Sequence, residues 1–264
     1  LGDVYKRQDE TIKFVKNNKD KPFFLYCPWT PPHAAYQIPE DEPAWKMYKD
    51  KPWPHDARVA AAMDTMMDRH VGEITALLKK LGIYQNTLMF FTSDNGAAKR
   101  FDGIHNSSGV MQGKKRSLNE GGIRVPMVVR WPDKIKAGRV SGHPWYFPDV
   151  MPTFAEIGGV STEVPENIDG ISILPTLLDK GVQKQHEYMF WQYGVRAVRS
   201  GKWKGIGKGG HLYLYDLSED IEEKNDLSSN HPKIAARMKK YITIGYREPR
   251  SQKDDGKYTG KDKK

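Results

Sequence analysis

The feature that most limits the fold is a succession of helix and strand in the first half of the chain. Between residues 56 and 81 the apolar positions Met63, Met67, His70, Ile74, Leu77 or Leu78 and Leu81 recur in steps of four and three, which lines one face of an α-helix. Gly82 supplies the C-terminal stop. Residues 87–91, Thr-Leu-Met-Phe-Phe, are too short a run for a helix and read as a buried strand leading straight into Thr92-Ser-Asp-Asn-Gly96. Residues 22–27 and 126–131 are two further runs of this kind. Short apolar strands separated by helical patterns predict an α/β fold, a mostly parallel sheet with helices on both faces. Seven prolines between positions 28 and 54 forbid regular structure there and predict an ordered surface loop.

Past Gly170 the texture changes. Aromatic or β-branched runs at residues 188–193, 195–199, 203–206 and 212–217, separated by glycines, predict a small antiparallel sheet. Residues 231–244 show helical spacing through Ile234, Met238, Tyr241 and Ile242. The domain plan is therefore a main domain over residues 9–180, a small C-terminal α+β subdomain over 181–245, and a basic, disordered tail over 246–264. Leu1-Gly-Asp-Val-Tyr-Lys-Arg-Gln8 fits none of these patterns and reads as a non-native leader outside the fold. The chain as a whole reads as a fragment that begins inside a domain.

Composition removes several function classes. The formal charge is +9, but the tail carries five Lys and two Arg against four acids, and no aromatic-and-basic module of the kind that stacks on single strands precedes it. A nucleic-acid partner is not expected. Cys27 is the single cysteine, so neither a disulfide framework nor a thiolate metal site is available, and any metal must be held by oxygen or imidazole. No apolar run approaches the ~20 residues needed to cross a bilayer, so no membrane span is expected.

Chemistry concentrates at three places. Asp94-Asn95-Gly96 follows a buried strand, at the sheet edge where open α/β folds bind ligands. Its adjacent carboxylate and carboxamide are hard oxygen donors for Ca²⁺ or Mg²⁺, although the same tripeptide also makes ordinary turns. Lys114-Lys115-Arg116 stands just before Glu120-Gly-Gly-Ile-Arg-Val-Pro126. Ammonium groups there could hold a tetrahedral oxyanion, or form a solvated charge run. His33 follows residues 22–27 and is placed either as a proton donor at the same edge or as a surface histidine. His143 and Asp149 precede a Pro-Thr-Phe-Ala segment, where satisfying a helix end is the plain role.

Taken together these residues carry a resemblance. Pro22-Phe-Phe-Leu-Tyr with Pro-Pro-His33, the helix ending Leu-Gly82, Thr-Ser-Asp-Asn-Gly96, and Lys115 five residues before Glu120-Gly-Gly-x-Arg-x-Pro126 resemble the type I, formylglycine-dependent sulfatases. Pro148-Asp-Val-Met-Pro-Thr153, Asp169-Gly170, Arg199-x-Gly-Lys-Trp-Lys204 and Leu214-Tyr-Asp-Leu217 resemble that family's C-terminal half. The resemblance implies an alkaline-phosphatase-like α/β fold, one Ca²⁺, and hydrolysis of sulfate esters by a formylglycine nucleophile made from Cys or Ser. It makes Asp94 and Asn95 calcium ligands, Lys115 the grip on the sulfate oxygens, and His33 a sulfate contact and proton donor to the leaving alcohol. The loop between these motifs, with Arg100 and His105, is expected to bind and select the substrate, a sulfated small molecule or glycan. The resemblance places the intact protein in the periplasm or outside the cell.

The family's Cys/Ser-x-Pro/Ala-x-Arg motif does not occur in these 264 residues, and Cys27 is followed by Pro-Trp-Thr-Pro instead. The expectation is about half a site, inactive alone. Two other readings are a metal-dependent phosphodiesterase or phosphoryl transferase of the same superfamily, and a non-catalytic sulfated-glycan-binding module using Trp45, Trp53 and Trp145.

Overall fold

The structure, a computed structural model, describes residues 2–248, and side chains from Tyr5 onward. Of the tail expected over residues 246–264, residues 249–264 lie outside the described residues. In chain order the elements are α1 (Gly2–Asn18), α2 (Pro43–Tyr48), α3 (His55–Lys80), β1 (Met89–Thr92), α4 (Glu120–Ile123), β2 (Met127–Arg130), α5 (Val150–Ile157), α6 (Leu174–Leu178), β3 (Met189–Tyr193), β4 (Val195–Ser200), β5 (Trp203–Lys208), β6 (His211–Asp216) and α7 (Pro232–Gly245). They fall into two compact units. The first runs up to Phe90 and takes in Phe101–Asn106 and Val129–Ala137; the second holds Phe91–Arg100, Ser107–Val128 and the chain from Gly138 onward.

In the first unit α3 is the organising element. One end of its apolar face, Ile74 and Leu78, packs with Val15 of α1 and Tyr84, and gathers Phe23, Leu25 and Trp29. The other end, Ala62 and Met66, packs against Ala44 of α2 with Trp45 and Tyr48. Met66, fully buried, takes the inward place that the spacing had given to Met67. Gly82 has φ +72°, and the N–H groups of Gly82 and Ile83 donate to the carbonyls of Lys79 and Leu78, the crossed pair that closes a helix on a left-handed residue. His70, buried, is a packing residue of this helix and meets Tyr5 edge-on.

Two expectations are corrected here. Residues 5–8 are continuous with α1 and are not outside the fold: the Tyr5 hydroxyl donates to Glu42 at 2.7 Å, and buried Gln8 donates to the His70 carbonyl at 3.2 Å. Tyr5, Gln8, Thr11 and Val15 share a helical spacing that points them at α3, which a reading confined to the first eight residues does not see. Residues 22–27 are extended but belong to no sheet among the described residues. Phe23, Leu25 and Cys27 face inward, while Phe24 and Tyr26 are 66% and 76% exposed. The proline-rich loop also contains a short helix, α2, because Pro43 sits at its first turn, where a missing N–H costs nothing, and buried Glu42 accepts from Ala44 N–H.

The second unit is built on a four-stranded antiparallel sheet in the order β3-β4-β5-β6. Its register pairs Val198 with Gly205 and Gly205 with Leu214 on one face, and Ala197 with Ile206 on the other. The first face is covered by α7 through Ala235, Met238 and Tyr241. The second face is covered by Leu118 and Ile123 of the loop that leads to β2. The pair β1 and β2 forms the one further sheet among the described residues.

Candidate active site

Strand β1 delivers the chain into Ser93, Asp94, Asn95 and Gly96. The Ser93 hydroxyl donates to the Asn95 carbonyl at 3.2 Å, which leaves the Asp94 side chain exposed and Asn95 half-buried. Gly96 then meets α4 backbone to backbone. Its N–H donates to the Gly122 carbonyl at 2.9 Å, and a Cβ at this position would lie 2.0 Å from the Gly121 carbonyl oxygen. Gly121 repeats the arrangement, donating to the Gln112 carbonyl at 2.8 Å with room for no side chain, since a Cβ would lie 2.3 Å from the Gly113 carbonyl oxygen. Glycine is required at both because two main chains occupy the space that a side chain would need.

The same contact brings in the lysine. Lys115 N–H donates to the Ala97 carbonyl at 2.8 Å, so the loop carrying its half-buried side chain is tied directly to the turn carrying Asp94 and Asn95. Arg116, next in sequence, holds φ +75°, a region uncommon for a residue with a side chain. Backbone strain of this kind persists where surrounding contacts fix the chain.

The anchor of α4 is ionic and buried. Lys204 Nζ donates to Glu120 Oε1 at 2.8 Å and makes an ion contact with Glu223 Oε1 at 2.9 Å, while Glu223 Oε2 accepts the Glu120 N–H at 2.6 Å. All three side chains are at most 3% exposed. Burial pushes the Glu120 carboxyl up, but the Lys204 ammonium, with Arg199 and Arg124, outweighs it and holds the group below the ordinary carboxylate range. Removing one member of such a cluster leaves an uncompensated buried charge, at a cost of about 3–5 kcal/mol. The sequence reading missed this cluster as a unit. Its signal was Lys204 on the same inward face of β5 as Ile206, where a charge demands a partner.

Other sequence candidates fall elsewhere. Arg100 is exposed in a short 3₁₀ turn, Lys99–Phe101. His33 and His105 belong to the first unit, whereas Asp94, Asn95 and Lys115 belong to the second. His33 is exposed, with Nδ1 2.9 Å from the Ala34 carbonyl oxygen. His105 packs between Phe101 and Trp53, with ring centroids 5.1 and 5.3 Å away, and its buried Nε2 has no hydrogen-bond partner among the described residues. Asp149 is fully buried and structural: its carboxylate accepts the N–H groups of Tyr146 and Ile171 at 2.9 and 2.8 Å and sits 2.9 Å from His186 Nε2. Burial lowers the His143 pKa despite the nearby Asp149 carboxylate.

For a divalent cation the chain offers the oxygens of Asp94 and Asn95, the hard donors that calcium prefers. Among the described residues no group of three or more His, Cys, Asp or Glu converges as a metal cluster. The donor type fits calcium, and two donors are part of the six to eight it takes.

The sulfatase family profile matches residues 6–160, and that of the N-sulphoglucosamine sulphohydrolase C-terminal region matches residues 112–245. The chain belongs to the sulfatase family. It is 33% identical over 211 residues to the steryl-sulfatase of Mus musculus, covering 75% of this chain and 32% of that protein. It is 29% identical over 260 residues to the N-acetylgalactosamine-6-O-sulfatase of Bacteroides thetaiotaomicron, covering 87% of this chain and 48% of that protein. The crystal structure of Ps i-CgsB in complex with k-i-k-neocarrahexaose matches with a TM-score of 0.78 at 29% identity, covering 92% of this chain and 54% of that one. The chain thus spans about a third to a half of the length of these relatives, as the C-terminal part of a sulfatase with the alkaline-phosphatase-like fold expected from the sequence. No helix among the described residues is long and apolar enough to cross a membrane.

Proposed function

We propose that this chain carries the lysine and two of the calcium ligands of a sulfuric ester hydrolase acting on a carbohydrate sulfate. The observation that carries this is the single backbone-locked piece formed by the Asp94–Asn95 turn and the Lys115 loop, joined through Gly96, Gly121 and Gly122. It fixes, relative to each other, the backbone positions from which two oxygen donors and one ammonium project, as positioning a cation and a sulfuryl group requires. Asp94 and Asn95 would hold calcium, which supplies positive charge toward the sulfuryl oxygens when bound. Lys115 grips a sulfate oxygen, His33 contacts the sulfate and protonates the leaving alcohol, and Arg100 and His105 select the substrate. The nucleophile, a formylglycine, belongs to a Cys/Ser-x-Pro/Ala-x-Arg motif that these 264 residues do not contain. A glycan is favoured by the N-acetylgalactosamine-6-O-sulfatase relative and by the neocarrahexaose complex of the structural neighbour. A periplasmic or extracellular site for the intact protein follows from the family resemblance.

The test is sulfate release by the full-length polypeptide that contains this chain, from a 6-O-sulfated N-acetylgalactosamine and from a small aryl sulfate. The sugar sulfate should be the better substrate, and Lys115→Ala should lower kcat/KM by about 100-fold or more, as loss of one preorganised charge contact does. Undiminished turnover by Lys115→Ala would sink the assignment. Calcium-independent glycan binding without turnover would favour the binding-module reading instead.

A further inference from the structure

The second unit holds a buried charge cluster that the proposed reaction does not use. Lys204 lies in β5, opposite Arg199 on one side and Tyr215 on the other, and shares its sheet face with Ile206. That face is the one closed by Leu118, three residues beyond Lys115. The ammonium reaches across 84 residues of sequence to Glu120. The opposite wall is Glu223, whose backbone takes φ +54° and whose second carboxylate oxygen receives the Glu120 N–H from 103 residues away. Glu120 in turn opens α4, whose Gly121 and Gly122 are the residues that Gly96 rests on. A continuous chain of contacts therefore runs from the C-terminal sheet, through one buried cation, to the turn holding Asp94 and Asn95 and the loop holding Lys115.

We propose that Lys204 is a positioning residue for the sulfate site: clamped between Glu120 and Glu223, its ammonium fixes α4 and through it the placement of Lys115 and of the Asp94–Asn95 turn. The C-terminal sheet then sets the geometry of the site without touching the ligand. A merely stabilising cluster would support the whole unit evenly, whereas this one is joined to the site by the Glu120 N–H and the glycine contact. The proposal rests on the functional reading only where it names sulfate.

The experiment uses the full 264-residue chain with Lys204→Met and, separately, Glu223→Gln, which keeps the shape of the side chain and removes its charge. Backbone amide exchange is followed residue by residue. The amides of Gly96, Lys115 and Gly121 each donate to a carbonyl within the joined loops. They should exchange at least about tenfold faster in both variants, while the β3–β4 ladder keeps its rates, because local opening is read separately from global unfolding. Unchanged rates at the three amides, or equal acceleration across the ladder, would overturn the proposal. Affinity for inorganic sulfate, measured by calorimetry on the full-length polypeptide that contains this chain and carries the same substitutions, should fall about tenfold, with Lys115→Ala as the reference loss. If Lys115→Ala leaves sulfate affinity of that polypeptide unchanged, the functional reading of Lys115 fails while the exchange pattern still decides the positioning role. If Lys204→Met does not fold, Glu223→Gln decides it alone.

Discussion

Replacing Gly96 by alanine puts a methyl carbon 2.0 Å from the Gly121 carbonyl oxygen, 2.9 Å from its carbonyl carbon and 3.0 Å from that of Gly122. Real Cβ atoms stay beyond 3.0 Å, so the two main chains must separate by about 1 Å. Both sides are backbone, and no side chain can swing away. Overpacking of this kind costs about 1–3 kcal/mol. The separation also stretches the 2.9 Å bond from Gly96 N–H to the Gly122 carbonyl, worth about 1 kcal/mol. The expected loss is therefore about 2–4 kcal/mol. Gly72 is the internal control. It is exposed in the interior of α3, with nothing within 4 Å of where a methyl group would sit, so Gly72→Ala should stabilise by about 0.5–1 kcal/mol through helix propensity. Urea unfolding of both variants, followed by circular dichroism and extrapolated linearly, reads the two signs in one assay. A Gly96→Ala variant within about 0.5 kcal/mol of the unaltered chain refutes the steric argument, since such small changes belong to ordinary surface positions.

Three further outcomes are expected. Asp149→Ala leaves the N–H groups of Tyr146 and Ile171 without their acceptor in a fully buried place, and should lower unfolding free energy by more than about 2 kcal/mol in the same urea assay; a loss near zero would mean water takes over both bonds. Asp226 titrates low: burial raises its pKa, but the His211 ring and the N–H groups of Leu214 and Ser228 prevail and bring it to about 2, from an ordinary 3.8. The folded-state value is the lower one, so this stabilisation is complete above about pH 4 and is lost as pH falls toward 2. With Asp226 31% exposed, screening leaves on the order of 1–2 kcal/mol, and Asp226→Asn should flatten that part of the acid limb of stability against pH; an unaltered limb would refute the assignment. In the full-length polypeptide, chelation of calcium should abolish sulfate release, and Asp94→Ala should raise the calcium concentration for half-maximal rate about tenfold or more; an unshifted calcium dependence would remove Asp94 from the ligand set.

What could be read from the sequence was what is written locally. The 3.6-residue period of α3 and α7, the Gly82 stop and the four glycine-punctuated strands each lie within a window of a few residues to a few turns. The Asp94–Asn95 turn and Lys115 were legible for the same reason, as short motifs at a fixed spacing. Residues 22–27 were misjudged because apolar content shows that a segment will be extended and inward-facing, but not whether a neighbouring strand pairs with it. Helix α1 escaped notice because only every third or fourth side chain of a highly charged stretch is buried. The cluster of Glu120, Lys204 and Glu223 joins residues 84 and 103 positions apart, and pairing over such distances has no local signature.

The sheet of the second unit has no free face: α7 closes one side, and the loop bearing Leu118 closes the other. A loop that serves as the wall of a core cannot also serve as a gate. Swinging the Lys115 segment outward would expose Leu118, 6% accessible at rest, and separate Glu120 from Lys204. The Lys115 loop is therefore held by the same contacts that close this core, whereas the residues just before it, 98–110, are mostly exposed, with Ser108 buried among them.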